Sequence, residues 1–183
     1  FCDIDEKTLC IDVNKLKKKI NKKTKVIMFI DYAFTLADYL GINKIAKKNK
    51  IKIIHDAAHS FGSKCQNKFI GNFFDYTMFS FDPIKTITSI DGGALVLKNK
   101  SIYLKLKRIR NMGITEDNSS KNNKRSKKRD VINIGLRYHL SNVNASVGIS
   151  QLNKFKIISE KRNNLVKYYQ KLLSNEKNIY FLI

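Results

Sequence analysis

Cysteine, proline and acidic residues are all scarce in this sequence, and each shortage narrows what the chain can be. Its three cysteines, Cys2, Cys10 and Cys65, form no CxxC pair. That pattern excludes a disulfide framework and a zinc ribbon, and it suits a reducing, cytoplasmic setting. No segment approaches the ~18 consecutive apolar residues of a membrane-spanning helix, so no membrane partner is expected. A single proline, Pro83, and the lack of any glycine tract or internal repeat exclude low-complexity linkers and solenoids. The opening residues Phe1-Cys2-Asp3-Ile4-Asp5 carry neither an initiator Met nor a basic-then-apolar leader, so the chain reads as a fragment that begins in mid-protein.

What is present suits a globular domain. Hydrophobic residues make up 43% of the 183 and aromatics 10%, enough for one real core. Lys plus Arg total 36 against 15 Asp plus Glu, a formal charge of +21. Such a charge attracts polyanions at low salt. The lysines are nevertheless spread along helices and loops, and only residues 121 to 129 form a dense run. That spread is the mark of a solvated surface, and nucleic acid is not the expected partner.

Apolar periodicity organises the chain. Val13, Leu16 and Ile20 follow a capping Asp12 at helical spacing, and Val26 to Ile30 then reads as a buried strand. Residues 38 to 49 predict a second helix with Leu40, Ile45 and Ala46 inward, and Ile51 to Ile54 a second strand, which together make a crossover unit of a parallel sheet. Tyr76 to Phe81 and Ala94 to Leu97 are further strands, with Pro83 in the loop between them. Beyond these, 101 to 111 reads as helix and 115 to 130 as a polar, basic, mobile loop. Asn142 to Leu152 and Ile157 to Leu173 read as helices. The fold class is α/β.

Open parallel sheets bind ligands beyond the carboxyl ends of their strands, and two such ends stand out. In Ile53-Ile54-His55-Asp56-Ala57-Ala58-His59 an acidic group follows an apolar strand, with small alanines leaving room beside it. Asp56 there could hold a cationic ring nitrogen or, alternatively, cap the turn that follows. The other end, Phe79-Ser80-Phe81-Asp82-Pro83-Ile84-Lys85, leads into Thr86-Ile87-Thr88-Ser89-Ile90-Asp91-Gly92-Gly93. A lysine among small hydroxyl residues and glycines can approach a phosphorylated ligand, although Gly92-Gly93 is equally a turn.

The pattern HDAAHSFGSK followed by GNFFDYTMFSFDPIKTITSIDGGALV resembles the PLP-dependent sugar aminotransferases of the DegT type. The stretch FCDIDEKTLCIDVNKLKKKINKKTKVIMFIDYA resembles that family's approach to the cofactor site, and GLRYHLSNVNASVGISQL its later segment, usually GYNYRMTDIQAALGLSQL. Within the family the likeness is greatest to the aminotransferases that make the 4-amino sugar precursor of pseudaminic acid. The resemblance implies the large domain of a fold-type I PLP-dependent transferase, a mixed, mostly parallel sheet between helices, without its N-terminal part and most of its C-terminal domain. Residues 1–114 would belong to the PLP-binding domain, 115–130 to a basic loop and 131–183 to the start of a helical small domain.

By that resemblance the cofactor is pyridoxal 5′-phosphate, and Lys85 carries it as a Schiff base and moves the proton between cofactor and sugar carbon. Asp56 pairs with the pyridinium nitrogen, Ser80 donates to the phosphate, and His59 contacts the ring oxygen or substrate. The implied reaction takes an amino group from glutamate to a nucleotide-linked 4-keto-6-deoxy sugar in a homodimer with a shared active site. Related dehydratases replace the lysine with histidine, whereas this chain keeps Lys85. The chain departs from the family pattern at Arg137, where the family has an Asn that reaches the phosphate across the dimer and where the guanidinium is expected to meet that phosphate instead, and at His139 and Asp91. Phe34 and Leu36 replace a Gly and a Pro, so that loop is expected to follow a different backbone path. The competing readings are an inactive relic of the fold and a basic polyanion-binding protein built on residues 121 to 129.

Overall fold

A computed structural model describes residues 1–114 and 130–181. Its contacts divide the chain into two units, Phe1–Val96 with Asn142–Ile183, and Leu97–Ser141. This grouping is by packing, whereas the boundaries drawn from the sequence at 114 and 131 follow composition.

In the first unit, helix α1 (Val13–Lys19) starts at Asp12, whose carboxylate accepts from the N–H groups of Asn14 and Lys15. Three lysines close it, where the negative end of the helix dipole favours cations. Strand β1 (Val26–Ile30) alternates: Ile27 and Phe29 are buried, while Val26 and Met28 are 46% and 57% exposed on the opposite face. Helix α2 (Tyr39–Asn49) is capped by Asp38 and ends where Lys50 turns into the left-handed region. Tyr39, Ile42 and Ala46 form its buried stripe. Ile45 is partly buried beside them, but Leu40 is 69% exposed. The expectation for Leu40 is corrected because it sits one residue off the i, i+3, i+7 stripe that Tyr39 begins.

Strand β2 (Lys52–Asp56) runs parallel to β1, with Ile30 opposite Asp56, and β5 (Tyr76–Ser80) runs parallel to β2, with Asp56 opposite Met78. Strand β6 (Gly93–Leu97) completes the order β1-β2-β5-β6. One face of this sheet packs Ile27, Phe29 and Ile53 with Leu16, Tyr39, Ile42 and Ala46 into the core. Fully burying Ile42 contributes roughly 1.5–3 kcal/mol by area. Between β2 and β5 lies a two-stranded hairpin, β3 (Lys64–Cys65) and β4 (Lys68–Phe69). The sequence did not predict it, because Gln66 and Asn67 make its turn with positive φ where glycine is the usual signal. Helices α4 (Asn142–Asn153) and α5 (Phe155–Leu172) belong to the same unit. Phe155 lies over Gly62, whose φ is +81°, and an added Cβ there would come within 2.0 Å of the ring.

The second unit holds α3 (Lys100–Ile109), capped by Asn99, and a small pairing of 111–114 with 131–137. The basic run 121 to 129 and the expected mobile loop lie, but for Asp130, outside the described residues. Cys2, Cys10 and Cys65 are free thiols.

Candidate active site at the carboxyl ends of strands β2 and β5

Strand alternation decides which side chains share a face. Asp56 and Met78 are register partners, so they point to one side of the sheet, and Ser80, two residues beyond Met78, points there too. His55 and Thr77 point the other way, into the core. Asp56 and Ser80 therefore stand at adjacent strand ends on the face left open by Val26 and Met28.

Asp56 is held through one of its two carboxylate oxygens. Its Oδ1 accepts from the Ala58 N–H at 3.0 Å, which makes the capped turn expected as the alternative. The second carboxylate oxygen has no protein partner among the described residues. The backbone beyond it is fixed by Ala57 N–H donating to Met78 O at 2.8 Å and Ser60 N–H to Ala57 O at 3.1 Å. His59 rides on this turn. Its Nδ1 accepts from the Ala33 N–H at 3.3 Å, and its ring lies against Tyr32.

Lys85 sits in the turn Asp82-Pro83-Ile84-Lys85, closed by Lys85 N–H to Asp82 O at 3.0 Å. Asp at the first position and Pro at the second suit a type I turn, since the aspartate carboxylate accepts from Ile84 N–H and proline presets φ. The loop then folds back: Ser89 N–H donates to Phe81 O and Phe81 N–H to Gly92 O. Its return is packed tightly against α4, where a Cβ on Gly148 would meet Ser89 at 3.2 Å. Lys85 is half-buried, and among the described residues its ammonium makes no hydrogen bond or ion pair. Ser80 Oγ accepts only a long contact from Asp82 N–H, 3.4 Å. A lysine without a partner among the described residues, a hydroxyl with only a long contact and a carboxylate with one oxygen free are groups whose chemistry fits a phosphorylated, cationic ring.

Arg137 lies in the second unit, where its backbone bridges to Asn111 and its side chain is exposed. Asn111 Oδ1 also makes a close hydrogen bond with His139 Nε2. Asp91 accepts from its neighbour Gly92 N–H at 2.6 Å. In the loop that carries Phe34, Ala33 and Phe34 have φ of +47° and +68°, so the backbone enters the left-handed region that glycine favours without a glycine. Phe34 instead stacks under the Arg162 guanidinium, 6.0 Å from the ring centroid. Together with Phe61 and Phe155 they line a cleft of about 990 Å³ that Thr86 borders, next to Lys85.

A buried polar cluster behind the strand ends was not singled out from the sequence. Asp31 is fully buried; its Oδ2 accepts from Tyr39 OH at 2.5 Å, from Ser60 Oγ at 2.7 Å and from His55 Nε2 at 2.7 Å. Its Oδ1 accepts from Ala37 N–H at 3.1 Å. Burial pushes the Asp31 carboxyl up, but hydrogen bonds and attraction from His55, helped by Tyr39 and Ala37, outweigh it and hold the group below the usual carboxylate range. Burial and the adjacent carboxylate keep the Tyr39 phenol protonated far above its ordinary range. His55 Nδ1 and Thr77 Oγ1, register partners across the ladder, are buried without protein partners among the described residues. The available signal was a carboxylate directly following each of two neighbouring strands, Asp31 after β1 just as Asp56 ends β2.

A layered, mostly parallel sheet with a lysine, a carboxylate and a serine at its strand ends defines an α/β protein of the class whose ligand crevice lies beyond those ends. The chain belongs to the DegT/DnrJ/EryC1/StrS aminotransferase family, whose model matches residues 1–182. It is 36% identical over 174 residues to the UDP-4-amino-4,6-dideoxy-N-acetyl-beta-L-altrosamine transaminase of Campylobacter jejuni, covering 93% of this chain and 44% of that protein. Among solved structures it resembles an aminotransferase of Helicobacter pylori involved in the biosynthesis of pseudoaminic acid, with TM-score 0.87 and 31% identity over 99% of this chain and 46% of that one. It also resembles GDP-4-keto-6-deoxymannose-3-dehydratase with bound GDP-perosamine, with TM-score 0.84 and 26% identity over 96% of this chain and 48% of that one. The chain thus spans about half the length of the curated relatives it matches. The expected sheet and family are both found. No helix among the described residues is long and apolar enough to cross a membrane.

Proposed function

We propose that the full protein is a PLP-dependent aminotransferase that moves an amino group from glutamate to a nucleotide-linked 4-keto-6-deoxy sugar. It would work as a cytoplasmic homodimer with a shared active site. The observation that carries this reading is Lys85, a half-buried lysine without a partner among the described residues, in a turn at the strand edge that also carries Asp56 and Ser80. The same fold serves a dehydratase among the resembling structures, so fold alone does not select the reaction. Retention of a lysine at position 85 favours amino transfer.

Pyridoxal phosphate, when bound, supplies the electron sink for a carbanion. Lys85 would anchor it and shuttle a proton at Nζ. The Asp56 carboxylate would keep a cationic ring nitrogen protonated, because an opposite charge at contact distance favours that state. Ser80 would donate to the phosphate from Oγ, and Arg137 would offer a charged fork to the phosphate across the dimer interface. His59, with Nδ1 taken by Ala33, has Nε2–H left to donate to the ring oxygen or the substrate.

The test is to add PLP to the full-length protein and record its visible absorbance before and after glutamate, in wild type and Lys85→Ala. A band that depends on Lys85 and is bleached by glutamate supports the reading. A wild-type protein without such a band contradicts it.

A further inference from the structure

Asp31 holds the segment that carries Asp56 and His59 from three directions. Its main-chain N–H donates to the Asp56 carbonyl at 3.2 Å. Its Oδ2 accepts from His55, the residue before Asp56, and from Ser60, the residue after His59. The five residues 56–60 therefore leave the sheet and return to a single buried carboxylate. Tyr39 and the Ala37 N–H hold that carboxylate in turn by donating to it, and the nearby Ala33 N–H donates to His59 Nδ1. Phe29 stacks on the His55 ring at 4.7 Å and Phe74 meets it edge-on at 5.2 Å, so the imidazole is fixed in its plane. A buried carboxylate that accepts from three side chains at once is held rigidly, since turning it would break several hydrogen bonds. Small displacements of polar groups beside a bound ligand are costly because such contacts depend on sub-ångström placement.

We propose that Asp31 is a positioning residue for the cofactor site, fixing Asp56 and His59 toward the pyridine ring by gripping the chain on both sides of them. The proposal rests on the PLP reading above. Asp31 touches neither cofactor nor substrate; its effect passes through His55, Ser60 and the Asp56 carbonyl. It follows that loosening the grip should alter how the ring is held while Lys85 still attaches it.

The experiment compares full-length wild type with Asp31→Asn, Ser60→Ala and the remote core variant Leu16→Ala, reading PLP affinity, the position of the visible band and amide hydrogen exchange across 55–60. Asp31→Asn keeps the shape but supplies only one accepting oxygen, so PLP affinity should fall about tenfold and the band maximum should move. Ser60→Ala, which removes one grip and leaves the fold, should weaken PLP about threefold and speed exchange at 57–60. It carries the test should Asp31→Asn fail to fold. Leu16→Ala should lower the melting temperature with affinity and band unchanged, which separates positioning from general destabilisation. Unchanged affinity, band and exchange in folded Asp31→Asn or Ser60→Ala would overturn the proposal. A wild type without a Lys85-dependent band overturns the enzyme reading and the cofactor role with it, and exchange at 55–60 then shows on its own whether the grip exists.

Discussion

The Ala33 N–H donates to Nδ1 of His59 across 26 residues of sequence, tying the loop after β1 to the turn after β2. An imidazole nitrogen that accepts carries no proton, so neutral His59 is protonated at Nε2. The side chain thus has one nitrogen for the fold and one for a ligand. His59→Gln, whose terminal amide reaches about as far as Nε2, should keep PLP affinity within about threefold of wild type, while His59→Ala should lose about tenfold. Absorbance titration with PLP checks this; equal affinities for Ala and wild type would assign His59 to the loop alone.

Asp31 makes the stability depend on acid in a defined direction. Its carboxyl is held below the usual range in the folded chain, so the stabilisation is complete above the unfolded value of about 4 and is lost as pH falls through the lower folded value. Urea unfolding between pH 6 and pH 3 should show a steeper loss for wild type than for Asp31→Asn, which has no proton to take up. Parallel curves would mean that the carboxylate is not held as its hydrogen bonds indicate. Asp31→Ala, which leaves buried donors without an acceptor, should cost about 3–5 kcal/mol at neutral pH.

Gly62 is required by Phe155. With φ at +81° and a Cβ position 2.0 Å from the ring, Gly62→Ala combines backbone strain with overpacking and should cost about 2–5 kcal/mol. The clash belongs to a pair, so in a Phe155→Ala background the same substitution should cost only about 1–2 kcal/mol. A double-mutant cycle by chemical denaturation measures the coupling; additive effects would refute the contact.

Ile90 is a β-branched residue at φ +69° in the loop that returns from Lys85. That conformation suits Asn far better than Ile, and the Ile90 side chain is largely exposed, so little packing would be lost. Ile90→Asn should stabilise by about 1 kcal/mol, a rise of about 2–4 °C in melting temperature for a chain of this size. A fall in melting temperature would show that the Ile90 side chain contributes more than its conformation costs.

Local chemistry was legible wherever one residue type has one dominant local use. Asp12 caps the helix it precedes, and Pro83 lies in a turn between the strands it was expected to separate. The run Val26 to Ile30 forms the expected strand, but Val26 and Met28 are exposed, because an all-apolar run reads as buried on both faces whatever covers it. The hairpin at Gln66-Asn67 and the left-handed Phe34 escaped, because both take glycine's conformation without glycine, and surrounding contacts rather than propensity fix such backbone.

The sequence by itself determined the alternation of helices and strands, the strand ends where polar groups collect and the family motifs around Asp56 and Lys85, all of which depend on residues close together along the chain. Only the tertiary structure decided that Asp31, Tyr39, His55 and Ser60 share one buried carboxylate, that Ala33 takes one nitrogen of His59, and that Gly62 lies beneath Phe155. These contacts join residues 8 to 93 positions apart. A buried hydrogen bond or close packing over that separation has no local pattern to announce it, because it exists only once the parallel strands have brought their ends side by side.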